Sequence, residues 1–182
     1  MLTIGDKFPD FSVRGTVANQ LKDAFVNINQ KSFAGKWLCV FFYPKNFSTV
    51  CPTEVSGFAR LHDAFKTRDC QILGVSLDSE YAHLAWRREH RDLRELPFPL
   101  LADVKRELSL GLGIIERHTG FAMRATFLVD PTMSIRFVSV TDGQVGRNPE
   151  EVLRVLAALQ SDELCPCNWQ PGQLTLGPEP VV

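Results

Sequence analysis

The sequence predicts an α/β fold, a three-layer α/β/α sandwich, and three observations lead there. Short apolar segments of strand length alternate with amphipathic helical ones. Two later strand-like segments pair around a turn, and a well-capped helix closes the series.

Taken in order, Phe33-Ala34-Gly35-Lys36 reads as a turn into an apolar run at residues 37–43 (WLCVFFY). That run is the longest in the chain. It is far too short to cross a bilayer and fits a buried strand. Pro44 ends the strand, and residues 46–50 form a loop. A helix starts at Cys51-Pro52, because proline is favoured where the backbone N–H has no partner. Val55, Phe58, Leu61 and Phe65 give that helix a single apolar stripe. Residues 70–77 (CQILGVSL) read as a second buried strand. Asp78 or Ser79 caps a helix reaching to about Arg91, with Tyr81, Leu84 and Ala85 expected inward.

Pro97 and Pro99 interrupt the pattern. A short strand at residues 100–102 and a short helix at residues 105–110 follow, and Leu110-Gly111-Leu112-Gly113 reads as a loop before a strand. Residues 126–130 (TFLVD) and 134–140 (SIRFVSV) pair around the Asp130-Pro131 turn. In the last helix Asn148 is the cap, Pro149 the first position and Glu151 the third, while Val152, Leu153, Val155, Leu156 and Leu159 form the apolar face. The domain is therefore expected over residues 1–160. Residues 161–182, with four of the eleven prolines, read as an irregular tail that is ordered only if it docks.

The composition, 45% hydrophobic and 23% charged, suits one soluble domain. A net charge of -1 gives no electrostatic reason to expect nucleic acid or an anionic membrane as partner. The N-terminus shows no secretory signal, so the expected compartment is the cytoplasm. Five cysteines in a reducing compartment argue against a structural disulfide framework and for reactive, metal-binding or inert thiols.

The chemistry gathers at Cys51. A buried strand leads through a loop to a cysteine at a helix entrance, where unpaired N–H groups and the helix dipole favour thiolate over thiol. A free thiol titrates near ~8.5, and such surroundings lower that value. Cysteine is often merely a small buried residue. Here the context Pro44-x-x-x-Ser48-x-x-Cys51-Pro52 argues for a nucleophile, with Ser48 one turn earlier offering its hydroxyl.

This context resembles the active-site motif of peroxiredoxins, and Val50-Cys51-Pro52-Thr53-Glu54 resembles their AhpC branch. The similarity continues through Gln71 to Ser76, Asp78-Ser79-Glu80, Phe98 to Asp103, Arg124 to Asp130 and Val145-Gly146-Arg147-Asn148. It implies the thioredoxin-like fold in its peroxiredoxin variant, with no cofactor and no metal. It also implies a peroxidase acting on hydrogen peroxide and organic hydroperoxides, in antioxidant defence. Cys51 would be the peroxidatic cysteine and Ser48 would bond the peroxide. Arg124 would stabilise the thiolate, Pro44 would exclude water, and Glu54 and Arg147 would hold the arginine. The resemblance departs at Asn46, where aspartate is usual, and at Thr49, where phenylalanine is usual.

Cys165-Pro166-Cys167 lies beyond the last helix. A sulfenic acid needs a thiol partner to become a disulfide, but spacing does not say whether that partner lies within one chain or between two. The resemblance makes Cys165 the resolving residue and Cys167 a possible second one. It further implies homodimers bridged between subunits, rings that are commonly hexamers, and reduction by an AhpD-like thiol protein or thioredoxin. A zinc-binding pair is the alternative, but none of His62, His83, His90 and His118 has ligand spacing to the tail. Cys39 and Cys70 read as inert core thiols, and Trp86 and Trp169 as packing residues. The stretch 91–97 lacks the Gly-Gly-Leu-Gly loop of oxidation-sensitive relatives and the tail lacks their Tyr-Phe pair, so resistance to over-oxidation is expected. Two further functions compete with peroxide reduction. A thiol-disulfide oxidoreductase would want Cys-x-x-Cys, where Cys51-Pro52-Thr53-Glu54 stands. A redox-regulated chaperone or sensor scaffold would keep its assembly without turnover.

Overall fold

The structure is a computed structural model that describes residues 1–178. Seven strands form one sheet in the order β2-β1-β5-β4-β3-β6-β7. They are β1 (Ser12–Thr16), β2 (Phe25–Asn29), β3 (Trp37–Phe42), β4 (Cys70–Ser76), β5 (Leu100–Ala102), β6 (Arg124–Val129) and β7 (Ile135–Thr141). β3, β4 and β5 run parallel, and the outer strands are antiparallel to their neighbours. The helices are α1 (Cys51–Arg60), α2 (His62–Lys66), α3 (Glu80–Glu89), α4 (Glu107–Leu112) and α5 (Pro149–Leu159).

Strand alternation divides the core in two. Leu38, Val40 and Phe42 of β3 point to one face, where α4 and the N-terminal Phe8 and Phe11 cover them. Cys39, Phe41 and Tyr43 point to the other, beneath Val55 and Phe58 of α1, Trp86 of α3, and Val152 and Leu156 of α5. This is the three-layer sandwich, on a thioredoxin-like sheet.

Several expectations change in the structure. The helix expected to run on from Cys51 breaks at Leu61 (ψ 3°), although Phe65 keeps its place in the core. Tyr81 and Ala85 do not face inward. His83, Leu84, Trp86 and Arg87 are the buried residues of α3, and Tyr81 is 62% exposed, packing edge-on against Phe25. Arg87 can lie inside because its guanidinium donates to the carbonyls of Thr16, Leu96 and Phe98. Leu110-Gly111-Leu112 belongs to α4 rather than a loop, and Gly113 (φ 70°) ends that helix in the left-handed conformation glycine tolerates. The β1–β2 hairpin leaves little signal in the sequence, since Ser12–Thr16 holds one large apolar residue and those of Phe25–Asn29, at positions 25, 26 and 28, do not alternate.

The last helix is capped as expected, with the Asn148 side chain accepting from Glu150 N and Glu151 N. The tail does dock. Trp169 is buried, its carbonyl accepts from Arg154 Nη1, and its indole N–H donates to the Gln173 carbonyl. Residues 179–182 of the expected tail lie outside the described residues.

Candidate active site

The loop between β3 and α1 delivers Cys51 as the first residue of α1, with Pro52 behind it. Cys51 is 0% exposed. Arg124, the first residue of β6, comes alongside because β6 pairs antiparallel to β3. Its Nη1 lies 3.3 Å from Cys51 Sγ and 2.6 Å from Glu54 Oε2, while its Nε donates to the Gly143 carbonyl at 2.9 Å.

Glu54, one turn into α1, is the hub. Its Oε1 accepts from Arg147 N (3.0 Å) and Arg147 Nε (2.7 Å), and its Oε2 from Arg147 Nη2 (2.9 Å) as well as from Arg124. Arg147 also donates to the Ala125 carbonyl and to Thr126 Oγ1, and its guanidinium lies 5.4 Å from the centre of the Phe41 ring. Burial alone would raise the Glu54 carboxyl. The hydrogen bonds and charge of Arg147, with the charge of Arg124, more than offset that and hold it below the usual range. Burial likewise works against the Arg124 cation, and Cys51 and Glu54 outweigh it. A fully hydrogen-bonded carboxylate thus fixes two guanidinium groups, and one of them bears on the sulfur.

Ser48 and Pro44 are half-buried, and the Ser48 hydroxyl donates to the Lys45 carbonyl at 3.2 Å. Both residues line an open cavity of about 470 Å³ that includes Arg124 in its wall. Sequence reasoning missed the rest of this cavity, notably Phe121, Met123 and Gly143. The signal was present in the apolar residues directly before Arg124 in Phe121-Ala122-Met123-Arg124.

A second network was also missed. The Tyr43 hydroxyl donates to Asn46 Oδ1 (3.0 Å), Asn46 Nδ2 lies 3.0 Å from His83 Nδ1, and His83 Nε2 lies 3.2 Å from the Leu101 carbonyl. The Leu101 carbonyl accepts the Nε2 proton, so Nδ1 is the acceptor for the Asn46 amide. Burial depresses His83 to about 4, against the opposing pull of Asp78. Asn46 therefore suits a neutral imidazole, whereas the aspartate usual in the resembling family has no N–H to donate. Asp78 Oδ2 accepts from Asn46 N at 2.9 Å, which ties the loop before Cys51 to β4.

The other cysteines divide by depth. Cys39 and Cys70 are buried, and burial pushes both thiols well up. Cys165 is half-buried, 3.5 Å from Ser161 Oγ, and Cys167 is exposed. The structure does not bring them to Cys51. Gly57 of α1 faces Pro149 at the start of α5, where an added Cβ would stand 3.2 Å from the proline Cγ. At the other end of α5, Gln160 reaches the Arg68 carbonyl. The tail thus leaves α5 about 16 Å, the length of its eleven residues, from the end that carries Arg147.

A thioredoxin-like sheet whose first long helix opens on a cysteine, with an arginine against the sulfur, defines a thiol-based redox enzyme. The AhpC/TSA family model matches residues 4–138. The alkyl hydroperoxide reductase C of Mycobacterium tuberculosis is 53% identical, over 97% of this chain and 94% of its own length. The chloroplastic 2-Cys peroxiredoxin BAS1 of Hordeum vulgare is 36% identical, over 97% and 86%. Among solved structures, Mycobacterium tuberculosis AhpC superposes with a TM-score of 0.86 at 52% identity, covering 93% of this chain and 99% of that one. The reduced Plasmodium vivax 2-Cys peroxiredoxin superposes with a TM-score of 0.89 at 28% identity, covering 96% and 93%. The chain belongs to the AhpC/TSA family and is a peroxiredoxin, a thiol-dependent peroxidase.

Proposed function

We propose that Cys51 is the peroxidatic residue and that it reduces hydrogen peroxide and organic hydroperoxides. The observation that carries this reading is the Arg124 guanidinium 3.3 Å from the Cys51 sulfur, held in place by the buried Glu54 carboxylate. The thiolate is the nucleophile, and a fixed cation beside the sulfur stabilises the charge that develops on the reacting oxygens in a site closed to water. Sulfur attacks one peroxide oxygen, so an S–O bond forms as the O–O bond breaks. The proton the cysteine gave up returns to the leaving oxygen, releasing water or an alcohol. Cys51 is oxidised to sulfenic acid and the peroxide is reduced. Arg124 and the Ser48 hydroxyl position the two oxygens, Pro44 screens the sulfur from solvent, and Glu54 and Arg147 keep Arg124 aligned.

Cys165, with Cys167 as a second candidate, then condenses with the sulfenic acid, forming a disulfide and releasing water. The separation along α5 favours a cysteine from a second copy, hence a homodimer, which we extend to a ring, a hexamer by likeness to the family. Residues 161–182 serve as the tail that presents these thiols, after residues 1–160 as the catalytic domain. Because Cys51 is covered, the first turn of α1 must open before another sulfur reaches it. A dithiol protein of the AhpD or thioredoxin kind, in the reducing cytoplasm, supplies the two electrons that restore both thiols.

Mass spectrometry under non-reducing conditions, after one equivalent of hydrogen peroxide, tests the scheme. The expected product is a peptide pair joining Cys51 to Cys165 or Cys167. Cys51→Ser abolishes peroxide consumption, whereas Cys165→Ser combined with Cys167→Ser leaves one turnover and then stops. Continued turnover by Cys51→Ser would overturn the assignment.

A further inference from the structure

We propose that Phe121 and Met123 form a specificity wall that receives the organic group of a compact, uncharged hydroperoxide, such as a branched alkyl or aryl one. The inference rests on the reading of Cys51 as the sulfur that attacks peroxide. A bare thiolate site for hydrogen peroxide needs room for two oxygens. The cavity that includes Arg124 holds about 470 Å³, far more than that, and it is the chamber that Ser48 and Pro44 also line. The apolar part of its lining includes Phe121, Ala122 and Met123, the three residues directly before Arg124 in sequence.

The wall is held in place. Met123 N donates to the Ile114 carbonyl, and the Phe121 carbonyl accepts from Glu116 N, so a short two-sided ladder carries both side chains. Lys45 covers the Phe121 ring with its ammonium 5.2 Å from the centroid. An apolar group seated against Phe121 and Met123 leaves its peroxide oxygens free to point toward Arg124.

The rim selects on charge. Arg124 and Arg147 are matched by Glu54 and the reacting sulfur. That leaves Lys45, already placed over the ring, against the two carboxylates Glu116 and Asp142. Glu116 is held well down, at about 2, by backbone hydrogen bonds from His118 and Thr119 and by the Thr119 hydroxyl, so it is ionised at neutral pH. A substrate carrying its own carboxylate meets like charge at this mouth.

The test uses the reduced full chain, with single-turnover oxidation of Cys51 followed by stopped-flow tryptophan fluorescence and confirmed by mass spectrometry. The substrates are hydrogen peroxide, cumene hydroperoxide and cumene hydroperoxide bearing a para-carboxylate. In the unmodified protein the carboxylated compound should react about fivefold more slowly than cumene hydroperoxide at low salt, with the gap closing in high salt. Phe121→Ala and, independently, Met123→Ala should each lower the rate constant for cumene hydroperoxide relative to hydrogen peroxide by about tenfold. A ratio unchanged in both variants, or faster reaction of the carboxylated compound, overturns the inference while leaving the role of Cys51 intact. Failure of hydrogen peroxide itself to oxidise Cys51 overturns both.

Discussion

Replacing Glu54 with glutamine tests the hub most directly, because the shape stays and the charge goes. The carboxylate accepts from Arg124 Nη1 and from three nitrogens of Arg147. An amide has one acceptor oxygen, and its NH₂ group would face guanidinium donors. Side chains of Glu54, Arg124 and Arg147 are 1%, 4% and 2% exposed, so water does not replace the lost bonds. Removing one partner from a buried ion pair costs about 3–5 kcal/mol, a large share of the ~5–15 kcal/mol that holds a domain folded. For a chain of this size that lowers Tm by about 10 °C. The loss depends on pH with a definite sign. The folded Glu54 carboxyl sits below its ordinary value, so its stabilisation is present above about pH 4.3 and fades as pH falls through the folded value. Urea unfolding of both proteins from pH 7 to pH 3 is the assay. The gap between them should be full at pH 7 and shrink toward pH 3. A gap under 1 kcal/mol at pH 7, or one constant across that range, would refute the hub argument.

Three further outcomes are expected. Arg124→Lys keeps the charge but cannot serve Cys51, Glu54 and Gly143 together, so stopped-flow oxidation of Cys51 should slow by about 10²-fold. His83 is held at about 4 against an ordinary value near ~6.5. Its neutral form therefore stabilises the fold above that ordinary value, and the contribution, about 3 kcal/mol, is lost as pH falls toward 4; NMR titration of the ring and a flatter stability profile in His83→Gln check this. Thr49 lines a cavity of about 370 Å³ with Phe47, Pro52 and Trp86 beside the first turn of α1. Thr49→Phe should fill it and slow opening of that turn, so that disulfide formation lags and mass spectrometry finds more sulfinic acid at Cys51 per turnover.

Cys51 at a helix entrance was legible because its signals are neighbours in the chain: a strand-length apolar run, a loop, and a proline that suits a first helical position. The closing helix was legible for the same reason, with cap, proline and glutamate adjacent at Asn148-Pro149-Glu150-Glu151. The inward face of α3 was misread, since Arg87 and His83 are polar and their burial depends on carbonyls from the distant Thr16, Leu96, Phe98 and Leu101. The β1–β2 hairpin escaped notice because an edge pair this polar leaves little hydrophobic period to read.

By itself, then, the sequence determined the class of sandwich, the cysteine at the entrance of α1 and, through family resemblance, the roles expected of that cysteine and the residues around it. Only the tertiary structure decided that Glu54 joins Arg124, seventy residues away, to Arg147, ninety-three away, and that Cys165 sits beside Ser161, just past the C-terminal end of α5. The physical reason is range. Caps, turns and helix dipoles act over one turn of chain, whereas an ion pair closes only when strand pairing and helix packing bring its members within hydrogen-bond distance.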